Sequence, residues 1–155
     1  MSQSLSGSPM SSRADVSPAD AERRARDCVE AQPHLRLLGV VFASAAPGAC
    51  ELRLPRRPDL LQANGAFHEG AVGTLASAAG VATAQTLLPE GTVALTVEYK
   101  VNIMAPARGE ALLARGQIVR SGKTVTVCRV DLTSVTGGES APCATCLMTL
   151  MAVTR

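Results

Sequence analysis

The sequence predicts an α+β fold: a curved antiparallel sheet wrapped around one long buried helix, with an additional N-terminal helix. Three observations predict it. Residues 70–89 hold twenty positions without a single charge and are rich in Ala, Gly, Ser and Thr. From Val93 to Ile103 the apolar residues Val93, Leu95, Val97, Tyr99, Val101 and Ile103 fall at every second position, the period of a half-buried strand. Further strand-like segments then follow to the C-terminus with only short turns between them. Consecutive strands call for an antiparallel meander, and a helix without a polar face needs cover on every side, so a sheet curved around that helix satisfies both.

The elements follow in order. Residues 1–16 are Ser-rich and polar, with too little apolar surface to offset the entropy of ordering, and read as a disordered tail; 17–155 then form a single domain. Ser17 is placed as a helix N-cap, with Pro18 at the first helical position and Asp20 in the first turn. That helix runs to about Gln32 and stops before Pro33. Leu38 to Ala45 and Cys50 to Leu54 read as two strands joined by the Pro47-Gly48 turn. Residues 56–67 form a long irregular connection into the uncharged helix, placed from about His68 to Leu88. Pro106 ends the alternating strand. Residues 111–120 and 123–135 flank a two-residue Ser121-Gly122 link, and Cys143 to Val153 read as a last strand apolar on both faces.

Composition narrows the function. The chain has 155 residues, 46% hydrophobic but only 18% charged, below the roughly 25% of ordinary soluble proteins, which points to an oligomer. Aromatics make up 2%, too few for base-stacking platforms, and apart from the run Arg23, Arg24, Arg26 the cations are scattered, so no nucleic-acid partner is expected. The first fifteen residues contain no apolar signal core, which places the protein in the cytoplasm. The small residues of 70–89 would insert poorly into lipid, so no membrane partner is expected. The five cysteines are dispersed and odd in number, and the lone Cys143-Ala-Thr-Cys146 pair starts a strand; they read as small buried hydrophobes rather than as a metal or redox site.

Several segments, in their order and spacing, carry a resemblance: Gln62-Ala-Asn-Gly-Ala-Phe-His-Glu-Gly70, the small-residue helix, Leu88-Pro-Glu-Gly91, Thr96-Val-Glu-Tyr-Lys-Val-Asn102, Ala105-Pro-Ala107 and Arg120-Ser-Gly-Lys-Thr124. From about residue 38 onward the chain resembles the hotdog-fold acyl-CoA thioesterases of the phenylacetyl-CoA thioesterase (PaaI) type. The resemblance implies hydrolysis of a CoA thioester with an aromatic or medium acyl group, with no cofactor because coenzyme A is part of the substrate. It also implies a homodimer, or a dimer of dimers, with each site shared between two subunits. Gln62 takes the place of the family's Gln or Asn six residues before the helix-opening His68, and the backbone N–H of Glu69, followed by Gly70, that of the donor to the thioester carbonyl. A helix N-terminus, with its free N–H groups and positive dipole end, suits that role. The family's carboxylate falls on Ser77. Thr96 matches a Ser or Thr that orients the attacking water, and the Arg120, Ser121, Gly122, Lys123, Thr124 hairpin matches a site for the CoA phosphates.

The residue chemistry complicates that picture. Ser77 is no base near pH 7, and its i±4 neighbours, Gly73 and Val81, cannot activate it. Nine helical residues make about 900°, so His68 and Ser77 point to opposite sides, which the family resolves by pairing two subunits. Glu69 is either a displaced general base or a carboxylate that complements the helix dipole. Strict alternation puts Thr96 on the polar face with Glu98 and Lys100, away from the helix, unless the strand bulges. Arg120 and Lys123 belong either to a phosphate site or to an ordinary solvated hairpin. Two functions follow: an acyl-CoA thioesterase, or a catalytically degenerate hotdog protein that binds acyl-CoA without hydrolysing it. A hotdog hydratase would want a His and an acid in a different arrangement.

Overall fold

A computed structural model describes residues 16–154; the tail expected over 1–16 lies, Val16 apart, outside the described residues. The first helix, α1 (Pro18–Glu30), starts as predicted, with the Ser17 hydroxyl oxygen accepting the Asp20 N–H at 3.1 Å. Ala21, Ala25 and Val29 form its buried stripe, which packs on β1 (Val41–Ala46) and on the long helix α3 (Glu69–Gln85). A short helix that the sequence reading missed, α2 (Pro33–Leu38), occupies the region expected to lead into the first strand. Its signals were present: Pro33 at a first helical position and Gly39, at φ 78°, supplying the left-handed cap, so the strand begins at Val41 rather than Leu38.

The sheet is completed by β2 (Ala49–Pro55), β3 (Thr92–Ile103), β4 (Ala111–Ser121), β5 (Val125–Thr136) and β6 (Glu139–Thr154). The six strands lie in the order β1-β2-β4-β5-β6-β3 and every pair is antiparallel. This corrects the plain meander: β4 already has β2 and β5 as neighbours, so β3 takes the far edge beside β6. The Ser121-Gly122 link is also corrected, because pairing continues through Ser121 and Thr126 and the turn is residues 122–124, closed by Gly122 N–H to Val125 O at 2.8 Å. In β6 a single face is fully covered, by Cys146, Met148 and Leu150, while Leu147 and Met151 of the other face are exposed.

The helix α3 lies in the curve of this sheet and contacts β2 through β6. Two glycines set how closely it sits. A Cβ at Gly80 would run into the Met148 sulfur, and one at Gly116 of β4 into the Thr83 hydroxyl, so helix and sheet meet with almost no side chain between them. Buried residues from Ala71 to Ala84 occupy nearly the full circumference. The stripe Gly73, Ser77, Val81, Gln85, at i+4 spacing, is only partly covered, which departs from the expectation of cover on every side. Beyond the helix end, the Gln85 side chain bonds to the free edge of β3: its Nε2 donates to Thr92 O at 2.8 Å and its Oε1 accepts Ala94 N–H at 3.2 Å.

Candidate active site

The helix opening is set by a tight loop. Leu61 and Phe67 bridge each other, Gln62 N–H donates to Ala66 O at 2.9 Å, and Phe67 is buried. The loop therefore delivers His68 to the N-cap in one geometry. The Nδ1 of His68 accepts the Gly70 N–H at 2.9 Å, and its carbonyl accepts the N–H groups of Ala71 and Val72 at 2.9 and 3.1 Å. An accepting Nδ1 places the ring proton on Nε2, which lies 3.4 Å from Glu69 Oε1. Of the first four helical N–H groups, that of Glu69 alone has no acceptor among the described residues, which leaves it free for an oxyanion. Gln62 lies beside it, its Nε2 donating to Phe67 O at 3.5 Å.

The second region is a cavity of about 720 Å³ between α1, the open stripe of α3 and residues 89–96. Ser77 and Thr96 both line it, together with Arg24 and Cys28 of α1 and Val81 and Gln85 of α3. Thr96 corrects the alternation. The register of β3 on β6 shifts between Thr96 and Glu98, so Val97 is an extra residue at a bulge. Thr96 pairs with Leu150 and Tyr99 with Met148, both of the buried face, whereas Glu98 pairs with Thr149 of the outer one. The bulge thus turns Thr96 toward the helix while leaving Glu98 and Lys100 in solvent.

The structure therefore sorts the predicted residues into groups. Gln62, His68, Glu69 and Gly70 meet at the helix opening, and none of them lines the Ser77–Thr96 cavity. Residues 120–124, the end of β4 and the β4–β5 turn, lie at the same end of the sheet as Thr96, since Thr96, Leu150, Thr126 and Ser121 run in one row across four strands. Three strand spacings put that turn roughly 14 Å away. Arg120 and Lys123 are exposed there and form no ion pair among the described residues.

Four of the five cysteines are placed in packing, as expected, whereas Cys28 is half-buried on the cavity. Cys50, Cys128, Cys143 and Cys146 are buried, and burial pushes the thiols of Cys50 and Cys128 up to about 12 and about 11. Burial also raises Cys143 and Cys146, so all four stay protonated and unreactive at neutral pH. Among the described residues no group of three or more His, Cys, Asp or Glu side chains could hold a metal ion, and no helix is long and apolar enough to cross a membrane. Sequence reasoning missed the contribution of α1. Arg24 and Cys28 stand four apart beside the Ala21–Ala25–Val29 stripe, a spacing visible in the sequence but without meaning until α1 is docked on α3.

This arrangement has relatives. The family model for the thioesterase superfamily matches residues 64–141, from the loop before α3 to the start of β6. The chain belongs to the thioesterase superfamily. Within that superfamily it is 31% identical over 109 residues to acyl-coenzyme A thioesterase 13 of Homo sapiens, covering 67% of this chain and 75% of the relative. Among solved structures, a thioesterase family protein from Silicibacter pomeroyi is 35% identical with a TM-score of 0.83, over 86% of this chain and 98% of that one. The PaaI protein of the E. coli phenylacetic acid degradation operon superposes with a TM-score of 0.77 at 17% identity, over 88% and 95% of the two chains, which speaks to the fold alone. The fold is the hotdog fold of the thioesterases, and thioester hydrolysis is the superfamily chemistry against which both regions of the site are read. The helix α1 lies outside the matched segment.

Proposed function

We propose that the protein hydrolyses acyl-CoA thioesters in the cytoplasm, with no cofactor, at a site made by two copies of the chain: the His68–Gly70 helix opening of one and the Ser77–Thr96 cavity of the other. The observation that carries this reading is the placement of two hydroxyls on one cavity, with the free Glu69 N–H outside it. One copy alone cannot present both to one carbonyl. The edge of β3 supports the second copy, since Gln85 occupies it only at Thr92 and Ala94, and beyond that Val97, Tyr99, Ile103 and Met104 are exposed. An open edge flanked by apolar side chains favours pairing.

The chemistry follows from the groups. The N–H of Glu69 and the amide of Gln62 polarise the thioester carbonyl, and the hydroxyls of Ser77 and Thr96 hold a water against it. Water oxygen attacks the carbonyl carbon, the tetrahedral oxyanion rests on the N–H, and collapse breaks the carbon–sulfur bond. The acid forms, and the leaving sulfur departs as the CoA thiol with a proton from the water. The exposure of Arg120 and Lys123 at the same end of the sheet supports a role in holding the CoA phosphates. Because a hydroxyl is no base, the reaction is slow without a carboxylate. That same absence supports the second reading, a protein that binds acyl-CoA and does not turn it over.

Thiol release from a panel of acyl-CoAs tests both. The wild type is expected to release CoA slowly, and Ser77→Asp to raise kcat by roughly 10²- to 10⁴-fold, the contribution of a positioned general base. No release by either protein, with CoA esters still binding in calorimetry, would leave the binding reading. Sedimentation as a 16.0 kDa monomer at micromolar concentration would remove the shared site.

A further inference from the structure

The three arginines of α1 are not equivalent. Arg23 lies 3.5 Å from Asp20 and 3.8 Å from Asp27, and Arg26 lies 2.7 Å from Glu22 and 3.9 Å from Glu30, with its guanidinium 4.4 Å from the centre of the Phe42 ring. Among the described residues Arg24 has no carboxylate within ion-pair distance. It is half-buried, its Nη1 donates to Leu88 O at 2.7 Å, and among the described residues its buried Nε has no acceptor and its Nη2 makes no hydrogen bond. The carbonyl of Leu88 fixes the guanidinium in the wall of the cavity that also holds Ser77 and Thr96.

A half-buried cation with open donors is unfavourable unless something answers it. The other charged groups on the cavity do not: Asp27 faces Arg23, and Glu90 is exposed on the connection before β3. A volume of about 720 Å³ is within the range of small-molecule sites, with room for an acyl group beyond the reacting carbonyl. We propose that this cavity selects acyl groups ending in a carboxylate, with the free end of the Arg24 guanidinium receiving it: the preferred substrates are CoA monothioesters of dicarboxylic acids. A carboxylate fits better than a hydroxyl because it accepts from a guanidinium along parallel bonds and also cancels its charge. The inference rests on the reading that the Ser77–Thr96 cavity holds the thioester.

The test compares two esters of equal length, hexanoyl-CoA and the CoA monothioester of the six-carbon dicarboxylic acid, on the full chain. The wild type is expected to favour the carboxylated ester in kcat/KM by roughly 10- to 100-fold, the range of a charge-assisted hydrogen bond. Arg24→Met should bring the ratio to about one, and Arg24→Lys, which keeps the charge and loses the fork, should restore part of it. A wild-type ratio near one, or a fall of both esters in proportion in Arg24→Met, would overturn the proposal, the latter by assigning Arg24 to the CoA portion or to packing. Calorimetry with the same two esters gives the same decision on binding. A carboxylate preference in binding that Arg24→Met abolishes, without turnover of either ester, would uphold this selection while rejecting hydrolysis.

Discussion

The two ends of α3 offer different kinds of chemistry. At its start, the principal donor is backbone: the Glu69 N–H is held by the tight Leu61–Phe67 loop and the His68 cap, with the half-buried Gln62 amide beside it and the His68 and Glu69 side chains exposed. In its second half, the groups that face the cavity are side chains from three elements, Ser77 with Val81 and Gln85, Arg24 with Cys28, and Thr96. A donor made of backbone survives most changes of its own side chain, proline excepted. A site made of side chains on three elements depends on how each is docked, and one of the three, α1, lies outside the segment that the family model matches. On the proposed reading, the carbonyl chemistry belongs to one end and the choice of acyl group to the other.

The largest expected effect breaks the first half of that contrast. Proline is tolerated at a first helical position, and His68, at φ −64° and ψ 141°, already has the extended backbone that a following proline requires. Glu69→Pro therefore removes the free N–H with little change in folding. It should lower kcat by roughly 10²- to 10³-fold, the effect of losing one oxyanion donor, with melting temperature nearly unchanged. Glu69→Gln, which keeps the N–H, separates the carboxylate from the donor: retained activity assigns Glu69 to the helix dipole, and lost activity makes it the base.

An intermediate effect tests the docking of α3 on the sheet. In Gly116→Ala the new methyl meets the Thr83 hydroxyl, whose β-branched side chain is held to Ala79 O at 2.7 Å, and overpacking should cost about 1–3 kcal/mol by urea unfolding. The smallest effect concerns α1. Ser17→Ala removes the cap and should cost about 1 kcal/mol, with the selectivity of the cavity weakened more than catalysis at the helix opening. The sign with pH is defined. The Ser17 hydroxyl, then Arg23, hold the Asp20 carboxyl below its ordinary 3.8, so their contribution is present above that pH and is lost as pH falls through the lower folded value. The stability difference between wild type and Ser17→Ala should therefore narrow as pH falls below 3.8 without closing, because the Asp20 N–H to Ser17 Oγ bond does not titrate.

Much of this was legible in the chain. The uncharged run of 70–89 marked the central helix because burial on nearly every side leaves no room for charge. Ser17, Pro18 and Asp20 marked α1 because capping is local. Strand order was not legible, since β3 pairs with β6 across forty residues and adjacency in sequence favours β4 instead. The bulge at Val97 was equally hidden. It inserts one residue into an alternation that reads as unbroken, and only pairing with Leu150 and Thr149 shows that Thr96 and Glu98 lie on opposite faces. The resemblance names Ser77 and Thr96 as candidates, while the cavity that joins them, with Arg24 in its lining, depends on where α1 docks.

The side chain of Gln85 has a consequence for how copies of the chain can assemble. By bonding to Thr92 and Ala94 it behaves as a stopper on the first part of the β3 edge, leaving only the stretch from Thr96 to Ile103 to join another strand. An antiparallel partner matched to that stretch has its two-fold axis near Tyr99 and Lys100. The opposite edge of the sheet, β1, is short, irregular between Phe42 and Ser44, and packed against by α1. With unlike edges, a β3-to-β1 union would add copies without end. A β3-to-β3 union would use up its own growing point, so a copy paired along the stretch that the glutamine leaves open would close the assembly at two rather than extend a fibre.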